Sequence, residues 1–393
     1  MGHPDCFDIQ RSHSRSILAP ARTHSFHPKE MAPFSRMSYR PSISDIRYWS
    51  ALVGLALGFW TFPSLSHAED KDPVTFSAFL DTTIAHDFNH LPTRYRPYTT
   101  QPYYTDEGAL NLGFVDATLQ TERVHGRVAA QSGSSVIANY AGEPDEFFRY
   151  VQEAYAGINV TQDWQIDAGI FFSHLGQESW ISRNDYNVSR SLIADYSPYY
   201  QTGVRSIHEL SEKWHLELHV MRGWQNISDD REPCYGTQIA YKPTADTQIA
   251  YNTFIGNEDG ARFFNDVGIS HWVTSKFGIS SSFDLGVQSR DGESRAWWYG
   301  WAIIPHYKVN DTVAVATRVE QYADPHQVIL QSLSDRSFNA TSLSANIDIT
   351  LLTDLVWRNE YRAYISHRDL FPRRDGFSAS DSFVVTSLIY SIR

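Results

Sequence analysis

From about Glu69 onward, apolar residues recur at every second position, a period that suits a strand with one face turned away from water. The clearest case is Phe277 to Gln288, where Phe277, Ile279, Phe283, Leu285 and Val287 share a row and Gly278, Ser280, Ser282, Asp284, Gly286 and Gln288 form the other. The same alternation sets Leu343, Ala345, Ile347 and Ile349 against Ser344, Asn346 and Asp348, and Trp214, Leu216, Leu218 and Val220 against His215, Glu217 and His219.

Reading each segment in turn predicts sixteen strands, within a range of 12 to 18, that begin near Val74, Ala109, Glu122, Phe148, Trp164, Pro198, Lys213, Tyr235, Asp246, Phe263, Lys276, Trp297, Thr312, Ala340, Asp354 and Ser382. The second and third strands show no clear gap. Tight breaks then fall at Gln162-Asp163, Ser211-Glu212, Thr244-Ala245, Thr274-Ser275, Asn310-Asp311 and Leu352-Thr353. The other connections are longer, among them Asn89 to Gly108, Ser135 to Phe147, Gly176 to Ser197 and Asn257 to Arg262, so short and long alternate throughout. A soluble sandwich has no reason to keep that order. An antiparallel transmembrane β-barrel does, with short periplasmic turns, long external loops and no free sheet edge.

Aromatic residues make up 14% of the chain and charged residues only 20%, with a mean hydropathy of -0.39, which excludes a bundle of membrane helices. Tyr103-Tyr104, Trp164, Tyr199-Tyr200, Trp297-Trp298 and Tyr322 lie near strand ends, where belts at the membrane interfaces are expected.

The one long apolar run, Ala51 to Leu65, is too short and too interrupted by Pro63 to span a bilayer as a helix. With Arg36, Arg40 and Arg47 before it and Ser66-His67-Ala68 after it, it reads as a signal peptide cleaved near Ala68. Residues 1–68 are then an N-terminal extension and leader, 69–393 a single barrel domain, and Met31 or Met37 an alternative start to Met1. Removing the leader's seven Lys/Arg and four Asp/Glu from 33 and 45 leaves 26 against 41, a net charge of -15. Nucleic acid is not an expected partner. Cys6 and Cys234 fall on either side of the cleavage point, which leaves one thiol and no internal disulfide.

Two stretches resemble the putative β-barrel porin-2 (OmpL-like) family of bacterial outer membranes: Val151 to Gly157 (VQEAYAG) and Ile166 to Gly203, a long and distinctive block. The similarity extends from about Phe76 to the C-terminus. The resemblance implies an outer-membrane pore. The chain departs from barrels that end in an aromatic residue read during assembly, since it closes Tyr390-Ser391-Ile392-Arg393.

Charged side chains at alternate strand positions belong in water, because Arg or Lys facing lipid at mid-membrane costs about 2–4 kcal/mol. The candidate pore wall is therefore Arg123, His125 and Arg127, Arg318 and Glu320, and Arg358, Glu360 and Arg362. Such clusters either set up a transverse field across the pore or neutralise one another and brace the wall. The long loop Gly176 to Ser197 carries Glu178, Trp180, Arg183, Asp185, Tyr186, Arg190 and Asp195, and is the candidate constriction; the alternative is an ordinary external loop.

Ser173 and His174 are adjacent on a strand end beside Glu178, so they point to opposite faces and cannot pair as nucleophile and base. His86-Asp87 and His90 have no nucleophile fixed nearby, and no enzyme is expected. The acidic tips Glu143 to Glu146 and Asn257 to Gly260 match no EF-hand spacing, and nothing resembles a phosphate-binding glycine loop, a zinc site or a heme signature, so no metal or cofactor is expected. The function these features favour is passive diffusion of small hydrophilic solutes through a monomeric or homotrimeric porin, among outer-membrane lipids and lipopolysaccharide, assembled by the barrel-assembly machinery. A non-conducting surface barrel with adhesive loops is the alternative, and an outer-membrane hydrolase a third.

Overall fold

The apolar rows face outward and the polar rows inward, the reverse of a soluble sheet. On the strand Phe277–Gln288, Phe283 and Leu285 are exposed while Ser280, Asp284 and Gln288 are buried. This is seen in a computed structural model that describes residues 73–229, 231–290 and 295–392. The expected leader, its cleavage point at Ala68, the alternative starts and Arg393 lie outside the described residues.

The strands are β1 (Val74–Asp87), β2 (Gly108–Gln120), β3 (Val124–Ser132), β4 (Val151–Asn159), β5 (Trp164–Phe172), β6 (Tyr200–Ser211), β7 (Trp214–Met221), β8 (Cys234–Thr244) and β9 (Thr247–Asn257). They continue as β10 (Ala261–Trp272), β11 (Phe277–Gln288), β12 (Ala296–Lys308), β13 (Val313–Asp324), β14 (Phe338–Leu352) and β15 (Leu355–Ile365). A small hairpin, β16 (Phe371–Arg373) and β17 (Gly376–Ser378), precedes β18 (Ser380–Ile392). Every strand except the hairpin pairs antiparallel with its neighbours, and β18 pairs with β1 from Ala78↔Ile392 to Asp87↔Phe383, closing a barrel of sixteen strands. Closure leaves no sheet edge for hydrocarbon to meet. Among the described residues no helix is long and apolar enough to cross a membrane.

The alternation of connections holds with one correction. Seven turns at one end (121–123, 160–163, 212–213, 245–246, 273–276, 309–312, 353–354) oppose eight loops at the other, but the connection expected to be long at Asn257 to Arg262 is only 258–260, because β9 and β10 run up to a tight turn. There Asp259 and Gly260 both take positive φ (57° and 136°) and Glu258 N–H donates to the Gly260 carbonyl at 2.9 Å. The last loop holds the β16–β17 hairpin, which the sequence reading did not foresee.

The expected aromatic belts are real but partly composed of other residues. Trp164 and Trp297 face outward, joined by Trp214, Tyr235, Tyr307, Trp357 and Tyr390. Tyr103 and Tyr104 sit in the loop after β1 beside Arg94, and Tyr200 is buried by stacking on Tyr140 of the loop after β3. Tyr199, Trp298 and Tyr322 are instead buried in an apolar interior. Tyr98, Phe338, Phe371, Tyr364, Trp298 and Phe264 pack there with residues of the loops, so part of the interior at the end that bears the long loops is occupied by side chains.

Candidate functional site

The loop 173–199 enters the barrel and crosses its interior. It starts where Gly176, at φ +86°, turns the chain inward and donates its N–H to Asp266 Oδ2 on β10 at 2.9 Å. It ends where Ser197 Oγ donates to Asp284 Oδ2 on β11 at 3.0 Å. Between these points it touches the inward rows of β1, β3, β13, β14 and β15, which only a segment inside the ring can do. At its far reach Arg183 donates to the carbonyls of Thr353 (3.0 Å) and Asp354 (3.3 Å), in a turn at the opposite end of the barrel.

Local sequence builds the loop's fit. A short helix, α1 (Leu192–Asp195), is capped by Ser191, whose hydroxyl accepts from Ala194 N–H, a role for which serine is favoured. The wall leaves room where it carries glycine. A Cβ on Gly300 of β12 would stand 2.2 Å from Ile193 Cγ2, and one on Gly236 of β8 would meet the His174 ring at 2.4 Å.

Each candidate residue of the loop has a partner. Glu178 accepts from Ser191 and lies 3.5 Å from Arg318 Nη1. Trp180 is buried and donates its indole N–H to Gln131 Oε1 at 2.9 Å. Asp185 accepts from Ser179 N–H at 2.7 Å, while its carbonyl accepts from Arg358 Nη2 at 2.7 Å. Arg190 lies over the Tyr199 ring at 4.1 Å and donates to the Trp180 carbonyl at 2.8 Å. Asp195 accepts from Thr100 Oγ1 at 2.6 Å, which ties in the loop after β1. Burial pushes the carboxyls of Glu178, Asp185 and Asp195 above the ordinary carboxylate range.

The wall residues of β13 and β15 clasp this loop. Arg318 donates to the Ser189 carbonyl at 2.7 Å and pairs with Glu320 and Glu360 at 3.3 Å each. Glu360 accepts from Ser189 N–H at 2.6 Å, and Glu320 from Leu192 N–H at 2.6 Å. Arg358 pairs with Asp348 at 2.8 Å, and Arg362 pairs with Glu320 while donating to the Arg190 carbonyl at 2.6 Å. All five are buried. Of the two arrangements open for these charges, the geometry is mutual pairing that braces the wall and holds the loop.

The third strand differs. Arg123 lies exposed in the turn before β3, not on the wall, because the ladder begins at Val124. His125 pairs with Asp167 at 2.5 Å, and Arg127 with Asp116 at 2.7 Å and Glu153 at 2.5 Å. Asp116, Glu153, Asp167, Arg205 and Glu209 were not singled out from the sequence, although each stands on an inward row; Arg205 pairs with Asp167 at 2.8 Å and lies over Phe171 at 4.6 Å.

The residues weighed for catalysis do not come together. Ser173 Oγ accepts from Leu175 N–H, while the His174 ring nitrogens lie 2.9 Å from the Thr253 carbonyl and 3.2 Å from Gln201 Oε1. His86 meets Asp106 at 2.5 Å, whereas Asp87 turns inward to Arg96 at 3.4 Å. The two acidic tips have structural partners: Glu143 accepts from Ile227 and Ser228, and Glu258 from Trp224 N–H.

The family described as putative beta-barrel porin-2, OmpL-like matches residues 73–392. Among solved structures, the outer membrane channel DcaP of Acinetobacter baumannii superposes with a TM-score of 0.56 at 13% identity, over 84% of this chain and all of that one. The anion-selective porin from Comamonas acidovorans gives 0.54 at 10% identity over 81% and 99% of the two chains, and Salmonella typhi OmpF, solved with daunomycin, 0.52 at 11% over 81% and 97%. At such identities the likeness speaks for the fold. No curated protein matches the sequence. Family and fold agree with the inverted polarity of the wall, and the chain belongs to the putative beta-barrel porin-2, OmpL-like family, a porin of the bacterial outer membrane.

Proposed function

We propose that small hydrophilic solutes diffuse passively along a water path between loop 173–199 and the wall formed by β3 to β8, with the loop as constriction. The observation that carries this reading is an asymmetry of exposure. Side chains of Arg318, Glu320, Glu360 and Arg362 are at most 1% exposed beneath the loop, whereas Arg127 is 20%, Arg205 15%, Glu217 15% and His215 23% exposed on the facing wall. Polar groups kept wet inside a closed barrel serve a path for water and what dissolves in it. Of the wall expected from sequence, Arg127 lines this path, His125 is buried beside Asp167, and the β13 and β15 residues set the position of the loop.

In this reading the barrel is no catalyst, lipopolysaccharide surrounds its external loops, the assembly machinery inserts it, and the unit is a monomer or homotrimer. Planar-bilayer recording tests the central claim: stable conductance steps are expected, and deleting Arg183 to Arg190 enlarges them. An unchanged step size after the deletion would remove the constriction.

A further inference from the structure

Resting on that channel, we infer that the water path prefers cations, so that its favoured cargo is positively charged or neutral polar solute. The inference comes from the balance of fixed charge along the wall, buried carboxylates included. On the path's upper level Arg127 is bound by two carboxylates, Asp116 and Glu153, and Arg205 by Asp167, which also holds His125. Neither guanidinium is left with uncompensated charge to attract an anion. Nearer the short-turn end, Glu209 and Glu217 each lie 2.8 Å from His215, and Glu217 lies 3.0 Å from His219. His174 of the loop stacks on His219 at 4.0 Å. Among the described residues, the remaining Lys or Arg on the inward rows of β3 to β8 is Lys242 of β8.

Counting Lys, Arg, Asp and Glu alone, this wall with Asp116 of the adjoining β2 carries the five carboxylates named above against three cations, Arg127, Arg205 and Lys242. The Glu209 side chain is 57% exposed, so the excess is presented to water. The sealed side of the barrel does not reverse it. Arg318 and Arg362 are already paired, and Asp266 and Asp284, register partners on β10 and β11, have no Lys or Arg partner among the described residues. A narrow aqueous path with low-dielectric walls focuses such a field and concentrates ions of the opposite sign. The Comamonas porin of similar fold is anion-selective; a barrel fixes no sign, and the wall's side chains choose it.

The full barrel in a planar bilayer with a potassium chloride gradient, held at about pH 8, above the ordinary imidazole value, gives the answer as a reversal potential. The expected potassium-to-chloride permeability ratio lies severalfold above one, and the double variant Glu209→Gln, Glu217→Gln brings it toward one. Should the double variant fail to fold, as judged by its β-sheet circular dichroism, Glu209→Gln alone at its exposed site lowers the ratio. Acidification, which charges imidazoles and neutralises carboxylates, lowers it too. Steps with a ratio at or below one in the unaltered protein, or a ratio indifferent to these glutamates, overturn the cation preference and leave the channel standing. Absence of any steps overturns both.

Discussion

Arg318 on β13 and Glu360 on β15 meet at 3.3 Å with neither side chain exposed, and both bond the same loop residue, Ser189. The strand between them, β14, contributes Ser344 to the same level through its bond with Asn187. The pair therefore joins the wall to the inserted loop. Removing one partner of a buried pair leaves the other charge uncompensated, at a cost of about 3–5 kcal/mol. Because the barrel ladder does not depend on these side chains, the loss falls on loop docking. Glu360→Ala is expected to leave β-sheet circular dichroism intact while single-channel conductance rises and becomes noisy; a quiet channel of unaltered conductance counts against the clasp.

Gly300 tests the same docking from the wall side. Its missing Cβ makes room for Ile193, and Gly300→Ala overpacks that contact by one methyl, a change that costs about 1–3 kcal/mol where neighbours cannot yield. Limited proteolysis within 173–199 should speed up in the alanine variant. Equal protection in both proteins would show that Ile193 shifts freely.

How much of this was readable beforehand follows from the range of each interaction. Strand period and turn position are local, and the starts expected near Val74, Trp164, Lys213 and Asp354 fall at the observed β1, β5, β7 and β15 to within a residue. The loop from Gly176 to Ser197 was singled out by Glu178, Trp180, Arg183 and Arg190 in a long connection, with an ordinary external loop as the alternative. What was not readable is which wall the loop would cover, since Arg318 and Arg127 look alike on their strands and differ only in contacts made over a hundred residues away or not at all. The inward Gly300 was the available signal, because its missing Cβ makes room for Ile193 of the loop. The direction of Tyr199, Trp298 and Tyr322 was hidden for a related reason: a strand-end aromatic suits a lipid belt and a plugged lumen equally.

Acidity should tighten the loop over the mildly acid range. Burial raises the carboxyls of Glu178, Asp185 and Asp195, so the packed loop holds more protons than the released one. A group of that kind penalises packing above its raised value, and the penalty is relieved as pH falls through it. His174 acts the other way, its imidazole lowered to about 3 by burial, so it opposes packing increasingly below its ordinary value near 6.5. Three carboxyls against one imidazole favour closure. Conductance is expected to fall as pH drops through the raised range of these carboxyls, and to fall more steeply in His174→Phe, which keeps a ring against His219 without the charge. A His174→Phe channel with the same pH profile as the parent would mean that the imidazole has no part in it.

The outward face offers a test that involves neither the loop nor the lumen. Leu343 and Ser344 are neighbours on β14, yet Leu343 is 52% exposed on the lipid side and Ser344 is 7% exposed on the inner side. Placing Arg at 343 sets a guanidinium in hydrocarbon and costs about 2–4 kcal/mol near mid-membrane, less toward either interface. The same residue at 344 meets Asn187 and the sealed Arg–Glu cluster, where the damage is crowding and like charge against Arg362, its register partner on β15. Denaturant titration in lipid vesicles should therefore show Leu343→Arg lowering barrel stability with conductance unchanged. Ser344→Arg should show the reverse pattern, a stable barrel with a displaced loop and larger conductance steps. If both variants destabilise the barrel alike, strand β14 does not divide lipid from lumen, and the assignment of its two faces fails.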